Sequence, residues 1–250
     1  MEKDEQIRMN ILEKFGDAKD LNSINFCRAA YQFVIDPKEL QAPKDNKDES
    51  EKIITVPQVI DLGLPSGTLW CDRNVGASSP WEHGAFFSWG NIEPHYPRDA
   101  KSDWGDDEDA FNYSFDSDTY EKTEGFKLTG DIDIEHDAAR VNMGESWQMP
   151  TDDQFQELYD NCTWERKTIH GLNGYLVTSK INGNRLFFAC SGYGAGTSWY
   201  NRGSYGNYWS SSFSSARGAR NLNFFSGGVS PQNDYDRCYG FAVRPVQNKQ

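Results

Sequence analysis

The stretch "MPTDDQFQELYDNCTW", residues 149–164, carries the strongest local signal in the chain. Thr151 followed three residues later by Gln154 makes a capping box, in which each side chain satisfies the other residue's orphan backbone N–H. Phe155, Leu158, Tyr159 and Cys162 recur at helical spacing, so a helix starts near Asp152 and lays one apolar face on a core. On either side of it the pattern is that of strands.

Upstream, "VIDLGL" and "TLWCDRNVG" flank Pro65-Ser66-Gly67, which is turn chemistry, and together read as a hairpin. "GAFFSWGN" follows as a compact aromatic strand. Downstream, "GYLVTS" and "RLFFACSG" read as a second hairpin turning at Asn182-Gly183. Short strands around "YWSSS", "ARNLNFF" and "GFAVRPV" complete the chain, separated by Gly, Ser and Asn. One helix among many short strands predicts an α+β domain over residues 54–248.

The rest of the chain differs in composition. Residues 1–35 predict a helical N-terminal segment of two short amphipathic helices. Ile7, Ile11 and Phe15 form one stripe, and Ile24, Cys27, Tyr31 and Val34 the other. Residues 36–53, charged and Pro-punctuated, read as a linker. Residues 94–137 form an acidic insertion whose "DIDIEHDAA" invites a calcium reading. His136 occupies the place where a calcium loop needs Gly, so no metal is assigned.

A net charge of −13 over 250 residues is a poor match to a nucleic-acid partner, which needs a clustered basic surface. No run of about 18 apolar residues spans a membrane. Residues 1–30 hold no signal-peptide core, so the expectation is a virion-associated or cytoplasmic protein. Five cysteines (27, 71, 162, 190 and 238) without a CxxC pair read as reduced thiols.

Enzyme signatures are absent. The four His lie in unrelated contexts, Ser204 lacks the first Gly of a nucleophile elbow, and "GYGAG" lacks the third Gly of a dinucleotide site. No catalytic residue and no cofactor is assigned. Residues 191–240 instead hold 10 Ser, 9 Gly, 6 Tyr and 5 Asn with no Lys and no Glu. Tyr offers rigid contact area at low entropic cost, and Ser, Gly and Asn offer adaptable hydrogen bonds, the alphabet of antibody paratopes.

In order along the chain, "VIDLGLPSGTLWCDRNVGASSPWEHGAFFSWGN", "WQMPTDDQFQELYDNCTW", "NGYLVTSKINGNRLFFACSGY", "GNYWSSS" and "GFAVRPV" resemble the Fibrobacter succinogenes major paralogous domain family, abundant in Bacteroidetes. That resemblance implies a C-type lectin-like fold of short twisted antiparallel strands and few helices. Its first and last strand-forming segments, "VIDLGL" and "FAVRPV", would pair. The same superfamily holds formylglycine-generating enzymes, which makes an enzyme using Cys190 or Cys238 one alternative. A structural or assembly protein of a bacterial or phage surface is another.

The region 192–240 also resembles the variable region of proteins diversified by retroelements, in which adenine-directed mutation of Asn-type codons changes dispersed positions. The likeness implies a phage- or prophage-encoded binding protein whose partner is a protein or cell-surface ligand. An oligomer or anchor partner would engage the N-terminal helices. The ligand-contacting residues would be Tyr200, Asn201, Tyr205, Asn207, Phe213, Asn221, Asn223, Asn233, Asp234, Tyr235 and Tyr239. Tyr208, Trp209, Ser210 and Ser211, with Gly240 to Arg244, would be framework.

Overall fold

The computed structural model describes residues 56–96, 130–195 and 198–249. In chain order its first elements are β1 (Val59–Asp61), β2 (Leu69–Cys71), β3 (Phe86–Phe87), α1 (Ala138–Met143) and α2 (Asp152–Asn161). Next come β4 (Cys162–Ile169), β5 (Leu172–Ser179), β6 (Arg185–Ala189), β7 (Tyr193–Ala195) and β8 (Ser198–Tyr200). The last are β9 (Gly206–Phe213), β10 (Gly218–Phe225), β11 (Gly228–Asp236), β12 (Phe241–Ala242) and β13 (Val246–Gln247).

The strands form four sheets, ordered β1-β2-β13, β11-β10-β9-β12-β3, β4-β5-β6 and β7-β8. The described residues are therefore mostly β, with two helices. This corrects the expected α+β, C-type lectin-like class with a helical N-terminal segment. Turn residues and two-residue alternation dominate the sequence, and only one ten-residue segment combines a cap with a helical stripe. The expected helices of residues 1–35, the linker 36–53 (both before residue 56) and most of the acidic insertion (residues 97–129) lie outside the described residues.

Helix α2 has both halves of its capping box: Gln154 N donates to Thr151 Oγ1 (3.1 Å) and Thr151 N to Gln154 Oε1 (2.9 Å). Asp152 and Asp153 in the first turn complement the helix dipole. Phe155 and Leu158, both fully buried, anchor it, each burial stabilising by about 1.5–3 kcal/mol. Glu157 takes both the Ser66 N–H (2.7 Å) and the Ser66 hydroxyl (2.6 Å), tying the β1–β2 turn to the helix. At Cys162 the backbone turns extended (φ −125°, ψ 157°) and the chain passes directly into β4.

The five-stranded sheet has a core on each face, because consecutive strand residues point to opposite sides. Tyr208, Leu222, Phe224 and Ala242 pack with α2, β5 and β6. Trp209, Ala219 and Phe241 pack with Val75, Phe87, Trp89 and the residues of α1. Trp209 stacks on Phe241 (4.1 Å, 26°) and donates from Nε1 to Phe87 O (2.8 Å).

Arg244, fully buried, joins three parts of this architecture. Its guanidinium donates to Asn74 Oδ1 (2.8 Å), Asp72 O (2.9 Å), Cys71 O (3.2 Å) and Phe187 O (2.8 Å), and lies 4.6 Å from the Phe188 ring. The Asp72 carboxylate is taken by Arg73, which meets both oxygens at 2.8 Å. The two outer segments do not pair with each other as expected: β1 and β13 lie on either side of β2. The middle position falls to β2 because Cys71 N donates to Pro245 O on one side while Asp72 N donates to Gln58 O on the other.

Asp131, Asp133 and Asp137 of the acidic stretch each accept from backbone N–H groups. Asp137 caps α1, accepting from Ala139 N (2.9 Å) and Arg140 N (3.0 Å), and also takes Met149 N (2.8 Å). Asp133 holds the His136 ring (2.7 Å). Among the described residues no group of three or more His, Cys, Asp or Glu is placed to hold a metal ion.

Candidate binding face

Strands β9, β10 and β11 carry most of the residues predicted to contact a ligand, and strand pairing sorts them. Asn223 lies opposite Asn207, Asn221 lies opposite both Trp209 and Asn233, and Tyr235 lies opposite Ala219. The asparagines cross-link the strands: Asn223 Nδ2 donates to Asn207 Oδ1 (2.7 Å) and Asn233 Nδ2 to Asn221 Oδ1 (3.1 Å). Asn207 also donates to Gly192 O (3.2 Å).

Two of these differ from the expected surface role. Asn207 is 2% exposed and Asn221 0%, so both are interior. A carboxamide donates and accepts at once, which lets a buried row of them bridge strands with their polar atoms satisfied. Asn223 and Asn233 are half-buried beside them. Asp234, exposed, points to the opposite side of β11 from Tyr235.

Three of the four expected tyrosines, Tyr200, Tyr235 and Tyr239, come together around Tyr193. Tyr193 stacks on Tyr200 (5.4 Å, 23°) and meets Tyr239 edge-on (5.4 Å, 86°). Tyr235 meets Tyr239 (4.8 Å, 80°) and Phe241 (5.3 Å, 63°). Such ring pairs each contribute about 0.5–1.5 kcal/mol beyond area burial, so the cluster is rigid. Tyr200 is 46% exposed; Tyr193, Tyr235 and Tyr239 are half-buried. Burial, with Tyr193, Tyr239 and Asp236 nearby, pushes the Tyr235 phenol up to about 12.

Glycine backbone places Tyr193 here. Gly192 bridges Gly206, and Gly194 bridges Gly240, seating β7 beside the central sheet. Gly192 has φ +70°, and a Cβ there would collide with the Tyr200 carbonyl oxygen. This is what "GYGAG" is for. Tyr193 is the main contact candidate the sequence reading missed, since a three-residue strand inside a glycine-rich motif shows no alternation.

The remaining candidates flank the cluster. Asn201 is exposed in a left-handed conformation (φ 53°), which Asn tolerates. Tyr205 stacks on Phe225 (5.2 Å, 14°), and Phe225, 38% exposed, is a second aromatic not singled out from sequence. Phe213 is half-buried under the Arg237 guanidinium (4.9 Å), and its N–H donates to Asp131 Oδ1 (2.8 Å).

The thiols of the enzyme alternative are apart. Cys190 is fully buried in the core beneath α2, while Cys238 packs with Phe86 and Trp199 in a separate cluster. Burial raises the Cys190 thiol above its ordinary range. His83 Nδ1 lies 3.1 Å from Ser191 Oγ, but that serine is fully buried. Burial, and then Arg202, pulls the His83 imidazole down to about 4.

No family model, no curated protein and no solved structure matches this chain. Among the described residues no helix is long and apolar enough to cross a membrane.

Proposed function

We propose that this chain is a ligand-binding variable protein, presenting a diversified Tyr/Asn/Ser face to a protein or cell-surface partner. The observation that carries the reading is the tyrosine cluster. Rings from β7, β8, β11 and the turn before β12 converge on one patch, partly open to solvent, beside a sheet fixed by buried Trp, Arg and Asn contacts. A rigid aromatic patch binds with little ordering cost. The contact set is Tyr193, Tyr200, Asn201, Tyr235 and Tyr239, flanked by Tyr205, Phe225, Asn223 and Asn233.

The likeness to the Fibrobacter succinogenes major paralogous domains and to retroelement-diversified proteins belongs to the same proposal. So do a phage or prophage origin, a virion-associated or cytoplasmic location, and an anchoring role for residues 1–50. The chain's acidity supports a partner other than nucleic acid.

The test needs no ligand. The coding region for residues 191–240 is sequenced deeply in a population of the source organism. The expected result is substitution at adenine-bearing codons of Tyr200, Asn201, Tyr235 and Tyr239, with Trp209, Asn221 and Phe241 unchanged. A segment with no more substitutions than residues 149–164 refutes diversification.

A further inference from the structure

Strand β4 leaves one edge of the β4-β5-β6 sheet open. All eight of its residues pair with β5 without a register shift, and among the described residues no backbone hydrogen bond reaches it from the other side. In an antiparallel ladder every second residue of an edge strand turns its N–H and C=O outward, a template for a further strand. The other long edge is blunted: β11 carries Pro231 and pairs with β10 through an irregular register. Strand β4 has neither device. Five of its eight residues are exposed, and Thr163, Trp164, Thr168 and Ile169 are strand formers.

The charges of β4 select its occupant. Glu165 and Lys167 stand two residues apart on one face of the strand, with Lys167 Nζ 2.8 Å from Glu165 Oε1. A second β4 laid antiparallel about a two-fold axis at Arg166 sets Glu165 opposite Lys167 of the second copy, and Lys167 opposite its Glu165. The ion pair within each strand then closes into a ring of four alternating charges across the seam. Opposite charges facing one another across an antiparallel pair are favourable, and like charges are not. The same register sets Trp164 opposite Thr168 of the second copy and Thr163 opposite its Ile169. Only Arg166, on the other face, meets its own copy. Strand β6, at the far edge, is buried in all but its first residue, and Phe187 O is taken by Arg244. The joined sheet therefore has no further open edge, and assembly stops at two.

We infer that β4 is the seam of a symmetric dimer, in which two copies of this chain join their three-stranded sheets edge to edge. The inference stands apart from the binding-face reading. Two copies of one face would engage a multivalent partner with avidity.

The experiment is sedimentation equilibrium of the full chain over a concentration series reaching about 1 mM, since a strand pair is a small interface. The parent is expected as a reversible monomer–dimer equilibrium. Glu165→Lys or Lys167→Glu alone sets like charges opposite one another at two places and should weaken the dimer about tenfold or more. The double exchange restores the alternation and should return the affinity to within about threefold of the parent. Arg166→Thr, which removes the like-charge pair at the axis, should tighten the dimer. All three positions are exposed, and thermal melts establish that each variant folds. A parent chain that stays monomeric overturns the inference and leaves the edge to another occupant. A dimer that the single reversals leave unchanged, or that the double exchange fails to restore, overturns it as well, because another surface then holds the two copies.

Discussion

Replacing Arg244 with Met is the most informative perturbation of the framework. Methionine approximates the arginine stem and leaves Asn74 Oδ1 and the carbonyls of Cys71, Asp72 and Phe187 without their donor. A buried acceptor left unsatisfied costs about 1–3 kcal/mol, although water and residual strand bonds recover part of that. An apolar replacement of a buried ion pair is often neutral because both charges leave together. Here the Asp72 carboxylate is already held by Arg73, so no charged partner leaves with Arg244. Four acceptors at that cost, less the part recovered, give an expected loss of about 3–5 kcal/mol. For a domain of this size that lowers Tm by roughly 6–20 °C. Arg244→Lys keeps the charge, but one ammonium cannot address acceptors arrayed around a planar fork, so it should fall in between. Urea melts followed by tryptophan fluorescence, with an unchanged m-value, give the free energies. Arg244→Met within about 1 kcal/mol of the parent, below the loss of even one buried acceptor, would refute the reasoning.

Three further outcomes follow from the same contacts. Trp209→Ala and Phe241→Ala should each cost about 3–5 kcal/mol, whereas Tyr200→Ala, which loses one ring stack, and Asn201→Ala, which puts a Cβ-bearing non-Asn residue at φ 53°, should each cost only about 0.5–1.5 kcal/mol; thermal melts of the four variants separate framework from face. Asn221→Ala should destabilise by about 1–3 kcal/mol despite its paratope-like residue type, because it removes a fully buried carboxamide that accepts from Asn233 Nδ2 (3.1 Å) and donates to Leu222 O (3.4 Å); a urea melt reads it directly. The His83 imidazole stays neutral in the fold to about pH 4, while in the unfolded chain it protonates below the ordinary value of 6.5. The unfolded chain therefore binds the extra proton in that window, and stability falls as pH drops from about 6.5 to 4, by on the order of 3 kcal/mol. Urea midpoints for His83→Gln should lose this share of the pH dependence while the carboxylates keep theirs.

Where the determinants were local, the sequence was legible. The capping box located α2, Pro65-Ser66-Gly67 and Asn182-Gly183 marked two hairpin turns, and aromatic alternation marked β9 and β10. Cys162 misled because it fits the helical stripe and is also the first residue of β4. Strand β11, with Ser230-Pro231-Gln232 in it, has loop composition, and it forms because an edge strand tolerates proline. The burial of Asn207 and Asn221 is set by partners 16 and 12 residues away, which no local pattern carries. The balance of helix and strand was misjudged for a related reason: α2 gave the loudest signal, and ten residues of helix do not make a helical layer.

The position of β2 between the first and last strands has a consequence for rearranging the chain. Two strand spacings put β1 and β13 about 10 Å apart, and Lys249 reaches back to Asp61 (3.4 Å). A few glycines could bridge that gap, so the domain lends itself to circular permutation. New ends opened at the exposed Ser226–Gly227 bend between β10 and β11 would leave the strand register of the central sheet intact and become the points for fusion. A permutant that folds would carry its attachment point beside the face it presents.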